Sequence, residues 1–165
     1  MDKIYRFSRI SGPALSPFNA WVLSKSLETL GLRVDRHCAN ALQLATFLEE
    51  HPNVNWVKYP FLASHPQYAI AKIQMKAGGC VVAFEVKGGL EAGKKFFDAI
   101  QLLSLSANLG DSRSIVTHPA STTHSKLTAA ELDAVGITEG MVRISVGLEH
   151  LDDIVQDISQ ALENL

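Results

Sequence analysis

Apolar positions recur at helical spacing along the first third of the chain. Phe18, Trp21 and Val22, then Leu27 and Leu30, follow one another in steps of 3, 1, 5 and 3 residues. The pattern resumes after Gly31 with Val34, Cys38, Ala41, Ala45 and Leu48. Ser16 as N-cap and Pro17 at the first helical position mark the start. His51-Pro52-Asn53 marks the end. Gly31 leaves two forms open, one long kinked helix or two joined ones. That length is large for a compact domain and predicts an element that bridges to other protein. Gly12 and several polar residues in the first dozen positions predict an irregular lead-in over residues 1–15, with the domain itself spanning 16–165.

Beyond Pro52 the pattern changes. Val54–Tyr59 has the β-formers of a short strand that Pro60 ends, and Pro66–Met75 predicts a short helix. Cys80–Lys87, framed by Gly78-Gly79 and Gly88-Gly89, is a strand with an apolar first half and an alternating second half. Leu90–Ile100 predicts a helix with Phe96, Phe97 and Ile100 on one side. Leu102–Ser106 and Ser114–Thr117 are candidate strands about the turn Asn108-Leu109-Gly110-Asp111. Thr128 with Glu131 forms a capping-box pattern for a short helix that Gly136 ends. Val142, Ile144 and Val146 face one way along a strand, and Leu151, Ile154, Val155, Ile158, Leu162 and Leu165 form an amphipathic helix. Connections too short for parallel crossovers predict an α+β two-layer sandwich, its sheet mainly antiparallel with helices on one face, preceded by a long helical segment.

Composition narrows the function classes. With 165 residues, 47% hydrophobic and 19% charged, the chain can bury one sizeable core and is not disordered. Lys plus Arg is 15 and Asp plus Glu is 17, a net charge of −2, which gives no electrostatic case for nucleic acid or an anionic membrane. No apolar run approaches the roughly 20 residues that span a bilayer, and Met1–Arg9 lacks the apolar core of a signal peptide. Cys38 and Cys80, the only cysteines, read as small buried hydrophobes, and a reducing cytoplasm is the expected compartment.

Chemistry concentrates at one residue. Arg143 sits in an apolar strand, and alternation places it with Ser145 on the face opposite Val142, Ile144 and Val146. Its fork of donors is costly to bury unpaired. One of the chain's own carboxylates, solvent, or a carboxylate ligand held in bidentate fashion would each satisfy it. The turn at Asn108–Asp111 either reverses the chain or presents amides to an anion. His118 and His124 lie among Thr117, Ser121, Thr122 and Thr123 without a zinc-type ligand pattern or a nucleophile elbow, and read as packed loop residues. No Gly-rich phosphate loop is present. Glu131, Asp133, Asp152, Asp153 and Asp157 read as solvated helix charges.

Several motifs, in order, resemble a known family. Ser16-Pro17-Phe18-Asn19-Ala20-Trp21, Leu27-Glu28-Thr29-Leu30, Tyr59-Pro60, Ser64-His65-Pro66 and Asn108-Leu109-Gly110-Asp111 belong to this set. His118-Pro119-Ala120-Ser121-Thr122-Thr123-His124 and Val142-Arg143-Ile144-Ser145-Val146-Gly147-Leu148-Glu149 complete it. Together they look like the C-terminal domain of PLP-dependent Cys/Met-metabolism (trans-sulfuration) enzymes of the homoserine sulfhydrylase type, over nearly all of residues 11–165.

The resemblance implies the small domain of a fold-type I PLP enzyme, with the active site in a cleft against a larger PLP-binding domain. It implies conversion of O-acetyl- or O-succinylhomoserine and sulfide to homocysteine in methionine biosynthesis. Cystathionine γ-synthase, γ-lyase and methionine γ-lyase are the related alternatives. Arg143 matches the arginine that grips the substrate α-carboxylate, Asn108 a position often Ser in relatives that helps hold it, and Thr123 a segment supporting that pocket. No lysine of the chain lies in the family's Schiff-base motif. The chain alone is therefore expected to hold no catalytic residue, to bind no PLP and to be inactive, needing the missing PLP-binding domain as partner. Apolar surface left without that domain predicts homo-oligomers. A stand-alone amino-acid-binding module is the reading from another class.

Overall fold

The structure, a computed structural model, describes residues 1–12 and 15–165. The described residues cluster into two compact units, Met1–Leu32 and Arg33–Leu165.

In the first unit residues 2–11 are not irregular: they form helix α1 (Asp2–Ser11). Ile4, Phe7 and Ile10 recur along it at helical spacing, a stripe that the polar residues between them obscure in the sequence, and none of its residues is buried. Local terms also favour it. Asp2 lies in the first turn and pairs with Arg6 at 3.6 Å, and Arg9 lies in the last turn, each where the helix dipole favours its sign. Gly12 ends it at φ 53°, donating its N–H to the Ser8 carbonyl. Pro13 and Ala14, in the same expected lead-in, lie outside the described residues. Helix α2 (Pro17–Glu28) starts as expected, with the Ser16 hydroxyl accepting from the Asn19 N–H at 3.2 Å. Its Phe18, Trp21 and Leu27 are exposed.

Helix α3 (Leu30–Glu50) follows, and the break falls at Thr29, so two helices form and Gly31 lies inside the second. In the second unit α3 buries Cys38, Ala41, Leu44, Ala45 and Leu48, the spacing of one helix face.

The remaining elements of this unit are β1 (Val54–Lys58), α4 (Tyr68–Gln74), β2 (Val81–Val86), α5 (Gly89–Ala99), β3 (Ser104–Leu105) and β4 (Ile115–Thr117). Helix α6 (Ala129–Ala134), strand β5 (Met141–Ser145) and helix α7 (Leu151–Glu163) complete it. The five strands lie in the order β1-β2-β5-β4-β3, antiparallel throughout except for the parallel pair β3 and β4. In the register Val82, Ile144 and Val116 stand side by side, as do Ala83, Arg143 and Thr117. The first row is fully enclosed together with Phe84, Val86, Val142 and Val146, and α3, α5 and α7 cover it in one core. Phe84 meets Phe96 of α5 edge-to-face at 5.8 Å. Each such enclosed side chain contributes about 1.5–3 kcal/mol relative to exposure. The expected α+β sandwich, with helices on one face of a mainly antiparallel sheet, is the observed one.

Two local expectations need correction. Asp157 is not a solvated helix charge: it is buried in α7, and its carboxylate accepts the backbone N–H groups of Gln101, Leu102 and Leu103 at 2.9, 2.9 and 3.1 Å. Those donors are thereby withdrawn from strand pairing, and the strand expected over 102–106 shortens to Ser104–Leu105. Cys38 is buried as expected, whereas Cys80 is only half-buried, its thiol 3.8 Å from the Ser145 hydroxyl. Among the described residues no helix is long and apolar enough to cross a membrane.

Candidate functional site: an arginine on the outer sheet face

Alternation along β5 puts Val142 and Ile144 into the core and leaves Arg143 and Ser145 on the other face. Because β5 is flanked by β2 and β4, its backbone groups are spent on both neighbours. Anything held on this face is therefore held by side chains. Arg143 is half-buried between Ala83 and Thr117, and its Nη2 donates to the Ala107 carbonyl at 3.2 Å. Guanidinium has five N–H donors, so this contact fixes its orientation and leaves others for a ligand. The acceptor is a neutral carbonyl, which does not cancel the charge.

The segment that supplies this carbonyl is tied at four points, two along β5 and two to the residues that follow it. Ala107 sits on Arg143, and the Gly110 N–H donates to the buried Ser145 hydroxyl at 3.0 Å. The Leu148 N–H donates to the Ser112 carbonyl at 2.8 Å. Ser114 gives its N–H and hydroxyl to the two oxygens of Glu149, at 2.6 and 2.9 Å, while its own oxygen accepts the Gly147 N–H at 2.8 Å. Gly110 has φ 81°, a left-handed conformation that a residue with a Cβ adopts at a cost. Asn108 lies between the first two ties. Its side-chain oxygen accepts the Leu109 N–H at 2.9 Å, which leaves its amide N–H groups as the donors for an anion. Beneath the turn, Asp111 accepts the Arg113 backbone N–H, and this bond, with Arg113's side chain, holds its carboxyl below the usual carboxylate range.

Arg143 and Asn108 are thus brought to one loop–strand junction. Thr123 is not tied to them: its hydroxyl pairs with its neighbour His124 at 2.8 Å. Thr117, the cross-strand neighbour of Arg143, instead pairs its hydroxyl with that of Thr122 at 3.0 Å. His118 faces Ser121 with Nδ1 and the Glu139 carbonyl with Nε2, so both ring nitrogens meet protein partners. Sequence reasoning missed the parts played by Ser145, Ala107 and Gly110. Alternation marks Ser145 as sharing the Arg143 face, but nothing in the sequence shows that a loop 35 residues earlier returns to it.

A cavity of about 660 Å³ lies beside this junction, with Phe97, Leu105 and Val116 as apolar lining and Lys94 and His118 as polar lining. It shares Ala107 and Thr117 with the arginine cluster. Lys94 there is paired with Glu91 at 2.6 Å.

Away from the junction, burial holds the Tyr59 hydroxyl strongly protonated, an effect that the Cys38 and Cys80 thiols reinforce, and it donates to the Gly79 carbonyl at 2.9 Å.

The family model for "Cys/Met metabolism PLP-dependent enzyme" matches residues 1–163. An O-acetyl-L-homoserine sulfhydrylase of Leptospira meyeri is 52% identical over 156 residues, covering 93% of this chain and 35% of that protein. An L-methionine gamma-lyase of Pseudomonas putida is 51% identical over 154 residues, covering 93% of this chain and 39% of that protein. A Campylobacter jejuni structure assigned as an O-acetylhomoserine (thiol)-lyase, with a pyridoxyl-lysine monophosphate, superposes with a TM-score of 0.87. It is 43% identical, and the match covers 94% of this chain and 37% of that one. The chain therefore spans well under half the length of these relatives.

PLP requires a lysine amine and a phosphate cradle at its site. The groups gathered about Arg143 are a carbonyl, an amide and hydroxyls, which suit a carboxylate and do not suit PLP. By the family model that matches residues 1–163 and by relatives about half identical over 93% of it, the chain belongs to the Cys/Met metabolism PLP-dependent enzyme family.

Proposed function

We propose that this chain supplies the substrate α-carboxylate subsite of a cytoplasmic O-acylhomoserine sulfhydrylase, an enzyme that makes homocysteine from an acylated homoserine and sulfide. The observation that carries this reading is Arg143. It is a half-buried cation on the sheet face away from the core, and among the described residues its one acceptor is a neutral carbonyl. A substrate carboxylate provides the missing counter-charge, and the Asn108 amide provides a further donor beside it. Thr123 acts only as support for the 118–124 segment. The Leptospira meyeri sulfhydrylase and the Pseudomonas putida γ-lyase are almost equally similar to the chain, at 52% and 51% identity, so the choice between the two activities falls to the substrate test below. PLP, bound by protein outside this chain, supplies the electron sink.

The test is the assembled PLP enzyme containing this chain. Given O-acetyl-L-homoserine and sulfide, it is expected to release homocysteine faster than it releases methanethiol from L-methionine. The reverse order sinks the sulfhydrylase assignment in favour of the γ-lyase. Arg143→Ala in the same enzyme is expected to lower kcat/KM about 100-fold, roughly 3 kcal/mol, the scale of removing one side of a desolvated charge pair. The 165-residue chain alone is expected to retain no PLP imine absorbance after dialysis.

A further inference from the structure

We infer that Ser145 is a positioning residue for the carboxylate site: by holding the Gly110 N–H it fixes the 107–110 loop against Arg143. This rests on the carboxylate reading of Arg143 given above. Three observations carry it.

First, Ser145 is buried on the same strand face as Arg143, two residues away. A hydroxyl there costs free energy unless it is bonded, and its oxygen accepts the Gly110 N–H at 3.0 Å. Second, the loop touches β5 on this face through two side chains, Arg143 at Ala107 and Ser145 at Gly110. Asn108 lies between these two ties. Without the second, residues 108–111 would span from the Arg143–Ala107 bond to the Ser112 tie with nothing holding them to this face, and the same guanidinium would have to hold the loop beside Asn108 and bind the ligand. With both, Arg143 is oriented and its remaining donors stay available. Third, the hydroxyl cannot be replaced by backbone. β5 is paired on both sides, with Val81 and Ile115 opposite Ser145. Its remaining neighbour is the Cys80 thiol at 3.8 Å, a weak partner that takes or gives a hydrogen bond without competing for the Gly110 N–H.

Ser145 itself does not touch the ligand in this scheme. It sets where Ala107 and Asn108 stand, and so how many guanidinium donors meet the carboxylate together.

The experiment uses the full 165-residue chain and O-acetyl-L-homoserine as probe, followed by NMR at the Arg143 side chain and the Gly110 amide. Wild type is expected to bind with a Kd in the millimolar range. Ser145→Ala is expected to weaken binding about 5- to 10-fold and to speed Gly110 amide exchange. Ser145→Thr, which keeps the oxygen, is expected to restore most of the affinity. With Arg143→Lys already in place, Ser145→Ala should add almost nothing, because there is no longer an oriented fork to lose.

Equal affinity for wild type and Ser145→Ala, with Arg143 still responding to the probe, overturns this inference and leaves the carboxylate reading intact. An Arg143 that responds to the probe neither in the wild-type chain nor in the assembled PLP enzyme containing it overturns both. If Ser145→Ala does not fold, Ser145→Thr and Ser145→Cys decide the matter. The inference requires the hydroxyl-bearing variant to bind several-fold more tightly than the thiol one, and equal binding overturns it.

Discussion

Replacing Asp157 by alanine is expected to destabilise the Arg33–Leu165 unit more than loss of any exposed charge in the chain would. The Asp157 carboxylate accepts three consecutive backbone N–H groups, from Gln101, Leu102 and Leu103, and also bonds the Gln160 side-chain amide at 3.2 Å. Hydrogen bonds to a charged group contribute about 1.5–3 kcal/mol, and a buried donor left unsatisfied costs about 1–3 kcal/mol. Leu103 is the buried member of the three, and its N–H incurs the full cost; the other two are partly rehydrated through the opening that the shorter side chain leaves. The sum is on the order of 3–5 kcal/mol, a large part of the roughly 5–15 kcal/mol that holds a domain folded. For a chain of this size it corresponds to a fall in Tm of about 8–15 °C. Urea unfolding followed by far-UV circular dichroism measures it directly, and hydrogen exchange at residues 101–103 localises it. Asp157→Asn retains one acceptor oxygen but turns an N–H₂ group towards backbone N–H groups, so it is expected to recover little. A loss below about 1 kcal/mol for Asp157→Ala would refute the reasoning, because three donors cannot lose their common acceptor so cheaply in a closed site.

Gly147→Ala is expected to cost about 3 kcal/mol or more, because a Cβ there overlaps the Glu149 carboxylate and the backbone of Arg113 and Ser114; thermal melts check this, and an unchanged Tm would contradict it. Burial lowers the pKa of His51, against a smaller opposing pull from Glu163. Its proton therefore binds the unfolded chain better, so its contribution is intact above about pH 6.5 and is lost as pH falls through the lowered folded value. His51→Gln is expected to flatten the stability profile between about pH 5 and 7, and a profile parallel to wild type would count against that. Exposed Phe18, Trp21, Leu23 and Leu27 on α2 are expected to drive self-association of the chain, and a strictly monomeric sedimentation profile at high concentration would rule it out.

The sequence by itself determined the elements that bury an apolar face. Val142, Ile144 and Val146 had to face the core because their spacing is the period of a strand. The stripe Ile154, Ile158 and Leu162 had to cover it because its spacing is that of a helix. The same alternation is enough to put Arg143 on the opposite face of the sheet. Helix α1 was legible in principle, since Ile4, Phe7 and Ile10 recur at helical spacing, but the polar residues between them and Gly12 masked the pattern.

Asp157 was legible in part. It lies three residues after Ile154 and four before Ala161, on the buried side of α7, but its use depends on the 101–103 loop passing over it. Tertiary structure alone decided the site. Ala107 and Gly110 reach Arg143 and Ser145 across about 35 residues of chain, through one carbonyl and one amide that nearly every residue type carries. Backbone groups leave no mark in a sequence, so the partner of the arginine is defined only by the folding of the loop back onto the strand.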